Sequence, residues 1–165
     1  MVRVPHHPGA TAMLADFARS ARPDSRVIEK ASAAILDTVA VIIAGSDLPG
    51  IRALSAAYSH AGGAADAHVL WSRSTLTSED AALITGTASH VLDFDDVSML
   101  AVCHPSAPIV SALLCARPWE SLDGREFVEA FVIGTEVLVR LGMAMGFVHY
   151  AIGFHATSTL GAVGA

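Results

Sequence analysis

The densest polar constellation in this chain is His90-Val-Leu-Asp93-Phe-Asp95-Asp96, and Cys103-His104-Pro105-Ser106 follows it closely. Three carboxylates so near one another repel. Enclosed even partly, they raise at least one pKa or require a cation or hydrogen-bond donors beside them, and either outcome makes an acid–base site. A helix end running into a solvated acidic loop fits the same spacing equally well. A second cluster, Gly153-Phe-His155-Ala-Thr157-Ser-Thr159, reads as a hydroxyl-rich helix start. Free N–H groups there favour an anion, and the positive helix end holds a nearby histidine in its neutral, proton-accepting form. The plainer reading is a capping cluster with a core histidine. His104 before Pro105 has the same helix-start setting. Two such starts beside one acidic cluster suit a small molecule carrying several carboxylates.

Other chemistries fit less well. Asp-x-Asp-Asp suits Mg²⁺, and His90 and Asp93 share a helix face, but Val97 stands where an EF-hand needs a ligand, so no metal is assigned. Asp93-Phe-Asp95-Asp96-Val97 also matches, letter for letter, the nucleophile motif of haloacid-dehalogenase-like phosphotransferases. That Mg²⁺-dependent aspartyl chemistry needs the motif at the end of a parallel strand with a lysine after it. Here the preceding residues read as helix, and the only lysine is Lys30, far upstream. No nucleophile elbow surrounds Ser89 or Ser106, which removes a serine-hydrolase triad. His149 reads as structural, and His6, His7, His60 and His68 as surface residues.

The elements that must position these groups read as helices. With 165 residues the chain has the size of one domain. Thirty alanines and few aromatics favour closely packed helices, so the expected class is all-α. Residues 11–21 form a short amphipathic helix stopped near Pro23. Asp24 then caps a longer one whose stripe of Val27, Ile28, Ala31, Ala34, Ile35, Val39 and Ile42 runs to Gly45. Residues 50–60 are helical up to Gly62-Gly63, and 67–71 form a short extended piece. Thr77 opens a further helix, with Glu79 and Asp80 complementing its dipole. Another starts at His104-Pro105 and ends near Arg117-Pro118. Asp123-Gly-Arg-Glu126 is a capping box. The helix it opens, from Gly124 to Met145, is apolar on nearly every face, which predicts that it is the most buried of all.

Charge and composition exclude several classes. Hydrophobic residues make up 53% and charged residues 16% of the chain, which excludes disorder. The net charge of −6 is a poor footprint for nucleic acid, so no such partner is expected. Two cysteines form neither a disulfide framework nor a metal knuckle, which points to a reducing compartment, the cytoplasm. Pro5, His6, His7 and Pro8 break any export signal. Residues 97–116 and 141–165 lack charge, but prolines, glycines and histidines interrupt them, so no membrane span is expected.

These residues together resemble the MmgE/PrpD family, whose members include 2-methylcitrate dehydratase, cis-aconitate decarboxylase and an iminodisuccinate epimerase. The likeness runs in order through Ile35-Leu-Asp37-Thr-Val-Ala40, Gly45, Ala81-Ala82, Gly86, His90-x-x-Asp93-Phe-Asp95-Asp96 and His104-Pro105-Ser106-Ala107. It continues through Gly124-Arg-Glu126-Phe127, Gly134-x-Glu136-Val137 and Gly153-Phe154-His155-x-Thr157. It implies the N-terminal part of a large helical domain, residues 1–165, truncated at its C-terminus and without the family's smaller lid domain. By the same resemblance Asp93, His104 and His155 are the catalytic candidates, and Ser98, Ser106 and Thr157 touch substrate. The substrate is a citrate-like polycarboxylate, and neither metal nor other cofactor is needed.

Four departures accompany the likeness. Val97 stands where members often carry threonine, and one extra residue precedes His104. Members are more than twice this length and use a lysine and a further histidine from later sequence. Pro118 interrupts a helix that most members continue, which predicts remodelling around Trp119. The expected parent reaction is dehydration, with decarboxylation or epimerisation as relatives' alternatives. The short chain alone is expected to be inactive, and to associate, as a homodimer or a non-enzymatic helical dimerisation fragment, through apolar surface.

Overall fold

A computed structural model describes residues 9–59, 66–72, 75–116 and 123–165. Expectations placed on His6, His7, His60, Gly62-Gly63, Arg117-Pro118 and Trp119 lie outside the described residues. Seven helices carry the fold: α1 (Ala10–Ser20), α2 (Ser25–Ser46), α3 (Pro49–Tyr58), α4 (Ser78–His90), α5 (Ser106–Cys115), α6 (Gly124–Ala151) and α7 (Ala156–Gly164). Two short strands, β1 (Ala67–His68) and β2 (Thr75–Leu76), pair antiparallel with Ala67 opposite Leu76. The all-α expectation holds, and the extended piece at 67–71 shrinks to β1.

Local chemistry starts the helices where the sequence places them. The Asp24 carboxylate accepts from the Val27 N–H at 2.9 Å, and the Thr77 hydroxyl from the Asp80 N–H at 3.2 Å. The capping box is complete: Asp123 accepts from the Glu126 N–H, and Glu126 accepts from the Asp123 N–H. Each such cap contributes about 1 kcal/mol by satisfying an N–H that has no partner within the helix.

The core lies where α2, α4, α5 and α6 meet. Ile42, Ile84, Ile109, Val110 and Leu138 are fully buried there. Burying a side chain of that size stabilises the fold by about 1.5–3 kcal/mol. Packing is tight enough to dictate composition. A Cβ at Gly45 would lie 2.2 Å from the Ala88 carbonyl oxygen, so only glycine lets α2 approach α4 this closely. Gly142 holds α6 against Ala101 in the same way, a Cβ there meeting the Ala101 side chain at 2.5 Å.

The most buried helix is α5, not α6. Six of the ten residues of α5 are buried, against six of the twenty-eight in α6. The reason is length. Phe131, Gly134, Val137, Leu138 and Gly142 of α6 face its neighbours, but the helix outruns them. Gly146, at φ 60° and ψ −171°, then kinks it, and Phe147, Val148 and Ile152 are exposed beyond. By length and composition α6 could cross a bilayer. It packs against α2, α5 and α7 and carries the ion pairs Arg125–Glu129 and Arg140–Glu136.

Candidate active site

The acidic stretch lies in the connection from α4 to α5. His90 is the last residue of α4, and the chain then turns back on itself, with the Asp93 N–H bonded to the His90 carbonyl at 2.9 Å. Asp93 sits at φ 51°, in the left-handed region that aspartate tolerates better than most residues. That reversal carries Asp95 back under the helix end, where its side chain is fully buried. The His90 Nδ1 lies 2.9 and 3.0 Å from the two Asp95 oxygens. An ionised carboxylate can only accept, so opposite it the ring donates from Nδ1.

A second imidazole converges on the same carboxylate. The His104 Nδ1 stands 3.3 Å from Asp95 Oδ2, off the angle of a hydrogen bond, and is buried without another partner. The two rings meet edge to face, with centroids 4.7 Å apart. One ligating atom from each of His90, Asp93, Asp95 and His104 can be chosen so that all four lie within 4.8 Å of one another. The cluster therefore holds two imidazoles around one buried carboxylate, with a more exposed carboxylate, Asp93, at its rim.

Two further ties fix the position of His104. Ser98 and Cys103 pair backbone to backbone at 2.8 and 3.3 Å, making a small antiparallel bridge just before it. Val102 closes that turn at φ 51°, which for a β-branched residue stores about 1–3 kcal/mol of strain. From the other side, the His104 N–H donates to the Thr157 hydroxyl of α7 at 3.0 Å, across 53 positions of sequence. Asp96 looks away from the cluster. It accepts from both the N–H and the hydroxyl of Ser106, placing a negative charge at the start of α5.

The sequence candidates separate accordingly. Asp93 and His104 are brought together. Thr157 touches His104 through its backbone, and Ser98 belongs to the bridge that carries it. Ser106 is fully buried and bonded to Asp96, so its hydroxyl ties the loop to α5. His155 stands at the N-cap position of α7 without a capping side-chain hydrogen bond; its side chain is exposed, with a ring centroid 5.7 Å from that of Tyr150, and it is outside the four-residue cluster. His149 is structural, its Nε2 2.7 Å from the Thr159 hydroxyl and its ring stacked on Phe154.

His90 and Asp95, which the sequence shows only as members of an acidic stretch, are the residues that organise the site. Their five-residue spacing across a helix end is the one signal that could have paired them. The aspartyl-phosphotransferase reading loses its premise, because the Asp93–Val97 motif follows a helix in an all-α surrounding and does not end a parallel strand.

Cys103 is a buried free thiol. Burial first, and the Asp96 charge second, push its thiol up to about 11, so it stays protonated at neutral pH. Beside the cluster, a groove of about 530 Å³ runs between α4, α5 and α7, lined by small residues such as Ala82, Gly86, Ala107 and Ser111. His90 and Thr157 belong to its wall, so groove and cluster are continuous.

Comparison with known proteins agrees with the family resemblance. Residues 12–165 match the MmgE/PrpD N-terminal domain. No curated protein matches the chain.

Proposed function

Because this chain belongs to the MmgE/PrpD family through that domain, we propose that its parent activity is the dehydration of a citrate-like tricarboxylic acid by acid–base elimination. The observation that carries the reading is the convergence of His90 and His104 on the buried Asp95, with Asp93 beside them. Elimination needs a group that removes a proton next to a carboxylate, and a second that returns one to the departing hydroxyl. A base abstracts the Cα proton, the carboxylate becomes enolate-like, and the β-hydroxyl leaves as water after taking a proton from the acid.

In this scheme Asp93, exposed at the rim, is the base, and His155 is the alternative base from α7. His104 orients a substrate carboxylate or donates to the leaving hydroxyl through Nε2, with the Asp95 carboxylate beside its Nδ1. Ser98 and Thr157 supply hydroxyls for the remaining carboxylates. Neither metal nor other cofactor enters these steps, and the setting proposed for the protein is the cytoplasm.

Incubation with methylcitrate, cis-aconitate and iminodisuccinate, with products resolved by mass, tests the proposal. Loss of water from methylcitrate supports dehydration, whereas loss of CO₂ from cis-aconitate or racemisation of iminodisuccinate replaces it with a relative's chemistry. Imidazole NMR signals of His90 and His104 should shift when methylcitrate is added. Signals unmoved by any of the three acids, together with no turnover, would remove the reading.

A further inference from the structure

The same four side chains have a second capacity. His90, Asp93, Asp95 and His104 present two imidazoles and two carboxylates, a donor set suited to borderline divalent ions of the Zn²⁺ class. Such ions take four nitrogen and oxygen ligands at about 2.0–2.2 Å. Donor atoms within 4.8 Å of one another therefore need only rotamer adjustments to close on one ion. His90, whose side chain is 41% exposed, and the exposed Asp93 have room for that adjustment.

The buried half of the set is already aimed inward. The His104 Nδ1 is enclosed with no hydrogen bond, and the Asp95 carboxylate beside it is fully buried with the two imidazoles as its side-chain neighbours among the described contacts. An ion there would satisfy both. Other His, Cys, Asp and Glu residues form no comparable group among the described residues.

We propose that His90, Asp93, Asp95 and His104 bind one Zn²⁺-class divalent cation, and that occupancy silences the proton-transfer site. On binding, each neutral imidazole whose proton is on Nδ1 moves it to Nε2 and gives the Nδ1 lone pair to the ion. No electron is transferred. The base and the acid are then both engaged as ligands. Binding stands independently of the dehydratase reading, and only the silencing rests on it.

The test is a titration of the whole chain with ZnSO₄ by calorimetry and with CoCl₂ by visible absorption, both in a form with His6 and His7 replaced by alanine to remove an adventitious pair. One equivalent should bind, and Co²⁺ should show the intense bands of a four- or five-coordinate ion. His90→Gln and Asp93→Asn, at positions open enough to leave the fold intact, should each weaken binding by at least the roughly 10–100-fold that loss of an outer-shell partner costs. His68→Gln, on the exposed face of β1, should leave it unchanged. Absence of binding at millimolar metal, or binding that survives both cluster substitutions at full strength, overturns the site. Turnover is read separately. If the chain dehydrates methylcitrate, one equivalent of Zn²⁺ should abolish that activity and EDTA restore it, and undiminished turnover in the saturated protein overturns the silencing alone.

Discussion

Helix α5 and the far end of α6 are built from similar apolar residues and meet opposite surroundings. In α5, Ala107, Ile109, Val110 and Cys115 are enclosed by α2, α4, α6 and α7. Beyond Gly142 of α6, Met143, Met145, Phe147, Val148 and Ile152 are largely exposed. What separates them is position relative to neighbours, because α5 lies at the centre of the helix packing and α6 passes out of it. Apolar content all round a helix shows that it tolerates enclosure, not that its own chain supplies it. The His90–Asp95–His104 cluster belongs to the enclosed side, held between the end of α4 and the start of α5, and this is what keeps a buried carboxylate and two imidazoles in register.

The largest effect should come from cutting into the enclosed helix. Ile109→Ala removes a fully buried side chain and is expected to cost about 2–5 kcal/mol in urea denaturation, as a cavity opens that α4 and α6 cannot refill. A loss under about 1 kcal/mol would show that α5 is not the centre. Gly45→Ala should follow at about 1–3 kcal/mol, because the new methyl meets backbone, the Ala88 carbonyl, which moves only if α2 and α4 separate. Since Ala88 lies two residues before His90, the imidazole signals of His90 should shift in the same variant. A stability loss without any such shift would uncouple the packing seam from the site.

What could be read in advance follows from how far each feature reaches along the chain. The caps at Asp24, Thr77 and Asp123 depend on three or four consecutive residues, and all three stand where local spacing puts them. The stripe on α2 was legible in part: Ala31 and Ile42 are buried and Ala34, Ile35 and Val39 pack against the core, but Val27 is exposed, and the buried Thr38 and Val41 lay outside the stripe. Burial of α6 was not legible, since it depends on the lengths of its neighbours. The pairing of His90 with Asp95 was hidden too. It requires the chain to reverse at Asp93 through a left-handed backbone that no hydrophobic pattern announces. Asp93 and His104 could be chosen from family likeness, but the carboxylate that joins the two histidines could be found only in three dimensions. The kink at Gly146 falls directly after Met145, where the sequence reading ends the helix, but the helical turns that resume beyond it to Ala151 were not anticipated.

A smaller effect separates the regions by pH. The Cys103 thiol, on the enclosed side, is raised from the usual 9.0 to about 11 by burial and by Asp96. For an acid whose folded pKa lies above its unfolded one, the neutral form is favoured by folding. That contribution is complete below the unfolded value and is lost as pH rises through about 11. Denaturation measured from pH 8 to 11 should therefore show an alkaline decline in stability that Cys103→Ala reduces. A decline of equal slope in both proteins would place its origin elsewhere.

The smallest effect on folding is expected at the exposed end. Phe147 is 67% exposed and Ile152 likewise 67%. Each stacks little apolar area against its own chain, so Phe147→Ser and Ile152→Ser should change the stability of the isolated fold by less than about 0.5 kcal/mol. Their consequence should appear in association instead. Apolar patches of this kind mark contact surfaces, and a homodimer formed across this end of α6 would make the melting temperature rise with protein concentration. Light scattering and melting at several concentrations separate the two cases. If Phe147→Ser abolishes both the larger species and the concentration dependence, the outer half of α6 is enclosed by a second copy, and the contrast with α5 becomes one between enclosure within a chain and enclosure between chains. If instead the substitution costs several kcal/mol at every concentration, the end of α6 packs on its own fold and the contrast itself fails.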